Sequence, residues 1–241
     1  MTKEKFLEEK CRDLHQYLKT DIRYDLNFFP RPFFVEVTGT PDSGKSTLIE
    51  QIYNDLRKEK LRIWKPQEGA QVVQDIPRDT PLYNISTGFY AINLLMHLSK
   101  GHQYDVVIFE RCCFDMFVWI EDWFSLGKLN AEEKRAWQDH VALSRFYVNN
   151  IDAAYFVVCE PEESMKRAME LSTTKKVGGT TNPKKVRVLV EKYRTAFDKL
   201  SDNYQQLELI DTTRLKKKEM VALFTAKVLE ALGKKAKSVR D

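Results

Sequence analysis

The residues Gly39-Thr40-Pro41-Asp42-Ser43-Gly44-Lys45-Ser46 fit the pattern G-x-x-x-x-G-K-[ST], and Thr47 follows them. Such a stretch is suited to phosphate binding. Its glycines let the backbone turn successive N–H groups inward, and a helix starting at its end adds positive potential. Lys45 would reach the β- and γ-phosphates of a nucleoside triphosphate, and the Ser46 hydroxyl would bind Mg²⁺. A second group stands at the end of Asp105-Val106-Val107-Ile108-Phe109, a hydrophobic run that delivers Glu110-Arg111. Placed beside a phosphate loop, a carboxylate at the C-terminal end of a strand can hold the metal directly or through water. Arg111 would then bind the transferred phosphoryl group or an acceptor phosphate. Without the upstream loop, Glu110-Arg111 would read as a surface ion pair.

Other residues carry weaker chemistry. Asp115 lies one helical turn after Arg111, so its carboxylate either faces the acceptor or pairs with that arginine. Arg78 and Arg145 are spare cations able to clamp an acceptor phosphate. Phe117, Trp119, Trp123 and Phe124 form an aromatic stripe, which is either core or one wall of a base-binding pocket.

These groups need elements to position them. Leu7, Cys11, Leu14, Leu18 and Ile22 recur at helical spacing and predict a helix over residues 3 to 26, which Pro30-Arg31-Pro32 stops. Phe33 to Val37 reads as a strand feeding the phosphate loop, and Ser46 to Lys58 as the helix leaving it. Arg62 to Trp64 is a second strand, followed by a polar loop with Pro77 and Pro81 and a helix to Gly101. Val106 to Phe109, Tyr155 to Val158 and Leu207 to Ile210 complete the strands; their continuous apolar character suits a sheet covered on both faces. Helices are predicted over 114–124, 131–147, 161–171, 184–203 and 217–232. Strands alternating with helices make an α/β fold with a parallel, doubly wound, three-layer sheet.

The 241 residues, 43% of them hydrophobic, can bury a sizeable core without staples. No apolar run approaches the roughly 20 residues of a membrane helix. The start, Met1-Thr2-Lys3-Glu4-Lys5, is charged on both signs, unlike a secretory signal. Cys11, Cys112, Cys113 and Cys159 show neither C-x-x-C nor metal-ligand spacing, as expected of thiols in a reducing compartment. A soluble cytoplasmic protein with no membrane partner is the expectation. The net charge of +4 is unevenly spread: residues 166–194 and 214–240 each hold nine Lys or Arg against two Glu. The inner segment suits phosphate, whereas the C-terminal one reads as a solvated face, leaving contact with nucleic acid open.

The strand and loop from Val35 to Thr47, with Glu110-Arg111 at a later strand end, resemble the P-loop kinases that include deoxynucleoside kinases and thymidylate kinases. Deoxynucleoside kinases carry Glu-Arg-Ser at the second place and thymidylate kinases Asp-Arg-Tyr; the Glu-Arg-Cys found here is nearer the former. Pro161-Glu162 leading to Arg167 resembles the start of the lid that closes over ATP, and Leu209 to Thr213 the last strand and adenine loop. The resemblance covers roughly residues 33 to 232 and implies the P-loop nucleoside triphosphate hydrolase fold, with strand order 2-3-1-4-5. It also implies ATP and Mg²⁺ as cofactors and a small-molecule phosphate acceptor, a nucleoside or nucleotide. Glu68 sits where deoxynucleoside kinases keep a carboxylate that takes the proton from the attacking hydroxyl; its alternative is a solvated loop glutamate. Lys175 and Lys176, beside Gly178-Gly179, would join Arg167 in a lid near residues 172–183. The chain then divides into an N-terminal helical extension (1–32), a kinase domain (33–232) and a basic tail (233–241), with a homodimer compatible.

It departs from thymidylate kinases in two places. Lys65-Pro66-Gln67-Glu68-Gly69 replaces an Arg-Glu-Pro-Gly-Gly type segment, and Tyr90-Ala91-Ile92-Asn93 lacks the arginine those enzymes place on the following helix. Kinases of other hydroxyls, a polynucleotide end included, and a catalytically silent ATP-binding module remain alternatives. The N-K-x-D segment of a GTPase and the L-S-G-G-Q signature of a transporter ATPase are absent.

Overall fold

The computed structural model describes residues 2–21, 31–101, 103–143, 150–171 and 182–238. Five strands form one parallel sheet: β1 (Phe33–Gly39), β2 (Ile63–Trp64), β3 (Val106–Glu110), β4 (Ile151–Val158) and β5 (Leu207–Asp211). Their order is β2-β3-β1-β4-β5, as the resemblance implied. Every residue of the central strand β1 is buried. Its side chains alternate between two apolar layers. Phe33, Val35 and Val37 face α2 (Lys45–Lys58) and the C-terminal helix α9 (Lys217–Ser238). Phe34 faces α4 (Pro81–Leu98), α5 (Cys113–Ser125) and α8 (Pro183–Ser201). Glu36 and Thr38 are the polar exceptions; both are wholly buried, and both bond to α5.

The remaining helices are α1 (Lys3–Asp21), the single turn α3 (Gly69–Val72), α6 (Ala131–Leu143) and α7 (Pro161–Leu171). The end of the first helix predicted at 26, and that of α6 at Tyr147, lie outside the described residues. No helix among the described residues is long and apolar enough to cross a membrane.

Two expected boundaries are corrected, and the place of the N-terminal helix is set. In the N-terminal helical extension, α1 packs along α9, with Leu7 and Cys11 buried in the same core as β1. Residues from 233 are not a tail as far as Ser238, because α9 continues through them. Alanines and lysines favour the helix, and its one glycine, Gly233, lies where Lys10 of α1 approaches. Strand β4 begins at Ile151, earlier than Tyr155. Asp152 hides this start in the sequence: its carboxylate accepts from the Phe34 N–H at 2.9 Å and from Arg31 at 2.6 and 2.9 Å.

Candidate active site

The phosphate loop owes its shape to the sheet beneath it. β1 ends at Gly39 with φ 147°, where an added Cβ would lie 1.8 Å from the Val157 carbonyl oxygen of β4. Only glycine lets the two backbones approach so closely. Asp42 (φ 53°) and Gly44 (φ 97°) both take left-handed conformations, and Gly44 then caps α2. The Oγ1 of Thr40 accepts from the Cys159 N–H, tying the loop to the end of β4.

Lys45 is buried, and its Nζ donates to the Thr40 carbonyl oxygen at 2.7 Å. Burial, and after it the charge of Arg111, lowers its pKa to about 8. The next side chain, Ser46, donates to Glu110 Oε1 at 2.8 Å from the end of β3. An exposed hydroxyl and a half-buried carboxylate at the loop's mouth form a hard-oxygen pair of the kind Mg²⁺ takes while keeping its waters and substrate phosphates. Among the described residues no cluster of three or more His, Cys, Asp or Glu makes a dedicated metal cage, and Mg²⁺ at phosphates needs none.

Arg111 follows Glu110 in a left-handed turn, φ 62°. Its guanidinium links four elements. Nε donates to Glu68 Oε1 at 2.9 Å, Nη1 to Asp115 Oδ1 and to the Tyr193 hydroxyl, each at 2.9 Å, and Nη2 to the Gly39 carbonyl at 3.2 Å. Asp115 also accepts from Thr38, from Tyr193 at 2.6 Å and from the Trp119 indole at 2.8 Å. Asp115 therefore both pairs with Arg111 and lines a cavity beside it. Burial raises the pKa of Glu68, against the pull of Arg111.

Two cavities flank this centre. One, of about 620 Å³, runs from Lys45, Ser46 and Thr47 between α7 and residues 213–217. Arg167 borders it, bonded to Thr212 through Oγ1 (3.1 Å) and the carbonyl (2.7 Å) and to the Ser43 carbonyl at 3.4 Å, so this arginine joins α7 to the phosphate loop. The second, of about 240 Å³, lies beyond Arg111, between α4 and α5. Glu68 stands on its wall, with Tyr83, Asn84, Trp119 and Trp123 around it. The aromatic stripe of α5 thus divides: Trp119 and Trp123 line the cavity, Phe117 packs on the core, and Phe124 lies exposed beneath Lys134. Arg78 is at the cavity's rim, exposed, 3.3 Å from the Ala70 carbonyl and 5.7 Å over the Tyr83 ring.

The structure therefore brings together Gly39 to Thr47, Glu68, Glu110, Arg111, Asp115 and Arg167, with Arg78 at the edge. Arg145, Lys175 and Lys176, and most of the lid predicted over 172–183, lie outside the described residues. Sequence reasoning missed Glu36, Thr38, Asn84 and the Tyr193 hydroxyl. The one local signal was Glu36, an acid inside the apolar run Phe33 to Val37.

No family model matches the sequence, and no curated protein sequence matches it. Solved structures do match in fold. A deoxyadenosine kinase from M. mycoides, with the products dCMP and a flexible dCDP bound, is 16% identical with a TM-score of 0.57, over 81% of this chain and 98% of that one. The same enzyme with dATP bound is 13% identical with a TM-score of 0.53, over 81% and 99%. With the observed strand order and phosphate loop, these similarities establish the P-loop kinase fold for this chain.

Proposed function

We propose that this protein is a kinase that transfers the γ-phosphoryl group of ATP to a hydroxyl of a nucleoside. The observation that carries the reading is the position of Glu68: a half-buried carboxylate, held by Arg111, on the wall of a cavity that the phosphate loop borders at Pro41. The deoxyadenosine kinases that share the fold, with their bound deoxynucleotides, support the substrate class.

In this mechanism the loop's N–H groups and Lys45 hold the β- and γ-phosphates. Ser46 and Glu110 would hold Mg²⁺, which offsets charge on the phosphate oxygens. Glu68 accepts the hydroxyl proton while that oxygen attacks the γ-phosphorus and the bond to the leaving ADP oxygen breaks. Its raised pKa makes it a better proton acceptor than an ordinary glutamate. Arg111 keeps Glu68 oriented and adds positive charge beside the transferred group. Trp119, Trp123 and Tyr83 offer flat apolar surface to a base.

A nucleoside is favoured over its monophosphate because α4 contains no Arg or Lys. Arg111 is already committed to Glu68 and Asp115, leaving the exposed Arg78 and Lys185 as the other cations on the cavity's lining. The deciding experiment measures ADP release from ATP and Mg²⁺ with nucleosides and with their monophosphates. Turnover with nucleosides, lost in Glu68→Gln, is the expected result. Turnover confined to monophosphates, with Glu68→Gln fully active, would transfer the assignment to a nucleotide kinase.

A further inference from the structure

Helix α5 starts without a local cap. Its N-cap residue, Cys112, makes no side-chain capping bond, so the first N–H groups of the helix need an acceptor from elsewhere. Glu36 of β1 supplies it. Its Oε1 accepts from the N–H of Cys112 at 2.9 Å, of Phe114 at 3.1 Å and of Asp115 at 3.1 Å, and its Oε2 from Phe114 at 3.2 Å. A capping box divides this work between two residues of the helix itself: an N-cap side chain serves the N2 or N3 amide, and the N3 side chain serves the N-cap amide. Here one carboxylate, on a different element, serves all three positions.

That placement has consequences for the active site. Cys112 directly follows Arg111, whose left-handed backbone sets the direction of its guanidinium. Asp115 is the residue whose carboxylate receives Arg111, Thr38, Tyr193 and Trp119. Glu36 and Thr38 stand two apart on one face of β1, so one strand fixes both the backbone and the side chain of Asp115. Glu36 itself is wholly buried and lines neither cavity, although Cys112 and Asp115, to which it bonds, line the second. Its four hydrogen bonds run only to backbone N–H groups, and Asp115 is the charged group that acts on it most, raising its pKa after burial does. A buried acid in a central strand is a costly feature where an apolar residue would pack, which argues for a role beyond filling space.

We propose that Glu36 is a positioning residue that caps α5 from the central strand and thereby holds Arg111 and Asp115 in register with the phosphate loop. The inference rests on the kinase reading for its effect on turnover, but its structural half stands without it. Trp119 supplies a reporter independent of activity, because its indole N–H ends on Asp115.

The experiment compares wild type with Glu36→Gln and Glu36→Ala. Gln keeps one carbonyl oxygen for the shared amides, while Ala leaves them unpaired. The indole ¹H–¹⁵N resonance of Trp119, identified by its loss in Trp119→Phe, should move toward that of a free indole in Ala and less in Gln. Wherever ATP is turned over, kcat should fall by about 10- to 100-fold in Ala with partial recovery in Gln, and the affinity for an ATP analogue should stay within about twofold. If Ala does not fold, the same shift and kcat loss in Gln carry the test. A Trp119 resonance unmoved in the folded variants overturns the proposal, as does a loss of ATP affinity equal to the loss of kcat. A wild type inactive on every acceptor, with the Trp119 resonance moved, would refute the kinase reading and leave the cap in place.

Discussion

The Ser46 hydroxyl donates to Glu110 Oε1 at 2.8 Å, although the two residues lie 64 positions apart in the chain. The contact joins the first turn of α2 to the end of β3, and it follows from β1 and β3 being hydrogen-bonded neighbours, with Val37 opposite Glu110. It brings the two proposed Mg²⁺ ligands within reach of one ion. Glu110→Gln should lower Mg²⁺-dependent turnover by a factor on the order of 10² or more, since an amide oxygen holds the ion weakly. Ser46→Ala should raise the Mg²⁺ concentration needed for half-maximal rate. Mg²⁺ titrations of both variants check this, and an unchanged titration in Glu110→Gln would make the carboxylate structural.

Lys45, with its pKa lowered to about 8, should make ATP binding depend on pH. Above that value the free lysine loses its proton, whereas bound phosphate favours the charged form, so binding must take up a proton. Affinity should therefore weaken as pH rises through about 8. Calorimetry at pH 8.5 in two buffers of different ionisation enthalpy reads the uptake directly. Lys45→Met should abolish both uptake and turnover.

Glu68→Gln should lower kcat by a factor on the order of 10² to 10⁴ and leave ATP affinity nearly unchanged. Arg78→Ala should cost far less, because Arg78 is exposed at the cavity's rim. Steady-state kinetics with a nucleoside as acceptor decide between them. A silent Glu68 beside a large loss at Arg78 would indicate a monophosphate acceptor.

Burial raises the Glu36 carboxyl from its ordinary 4.5 to about 7. Between those values the folded chain keeps a proton that the unfolded chain has released. Stability from this group is therefore greatest at low pH and falls as pH rises toward about 7, by about 3 kcal/mol. Glu36→Gln removes the slope. Urea unfolding at pH 5 and pH 8 should show the wild type losing more stability than the variant over that interval.

Gly39→Ala should prevent stable folding rather than only impair phosphate binding. The added methyl would meet the Val157 carbonyl oxygen at 1.8 Å, with the Val157 carbonyl carbon and nitrogen also within 3 Å, and strand backbone cannot give way as a flexible side chain could. A loss above about 4 kcal/mol is expected, read as a collapse of Tm or of soluble yield.

The parts of this site that could be read from the sequence are those whose chemistry is local. Gly39 to Ser46 is legible because a phosphate cradle needs backbone donors, a lysine and a hydroxyl at fixed short spacing. Glu110-Arg111 is legible because a strand end lies beside that cradle, and the alternation of elements was sufficient for the parallel sheet. What escaped notice was made across the fold. Tyr193 reaches Arg111 over 82 positions and Glu36 reaches Cys112 over 76, and no periodicity records such contacts. Asn84, whose Oδ1 accepts from the Trp123 indole at 2.9 Å, sits on a helix whose apolar residues alone gave the signal. The packing of α1 on α9 was hidden in the same way, because each helix by itself reads as an ordinary amphipathic segment.

That packing also sets an order of events during synthesis. α1 leaves the ribosome some 200 residues before α9, the helix it packs against. Leu7 and Cys11 must wait for those residues to be translated before their layer of the core can close. The strands and the phosphate loop can assemble meanwhile, but α2 and β1 remain uncovered on the α9 side until the last helix docks. The docking of α9 therefore comes late, and a nascent chain stalled before it presents an apolar layer to chaperones and proteases.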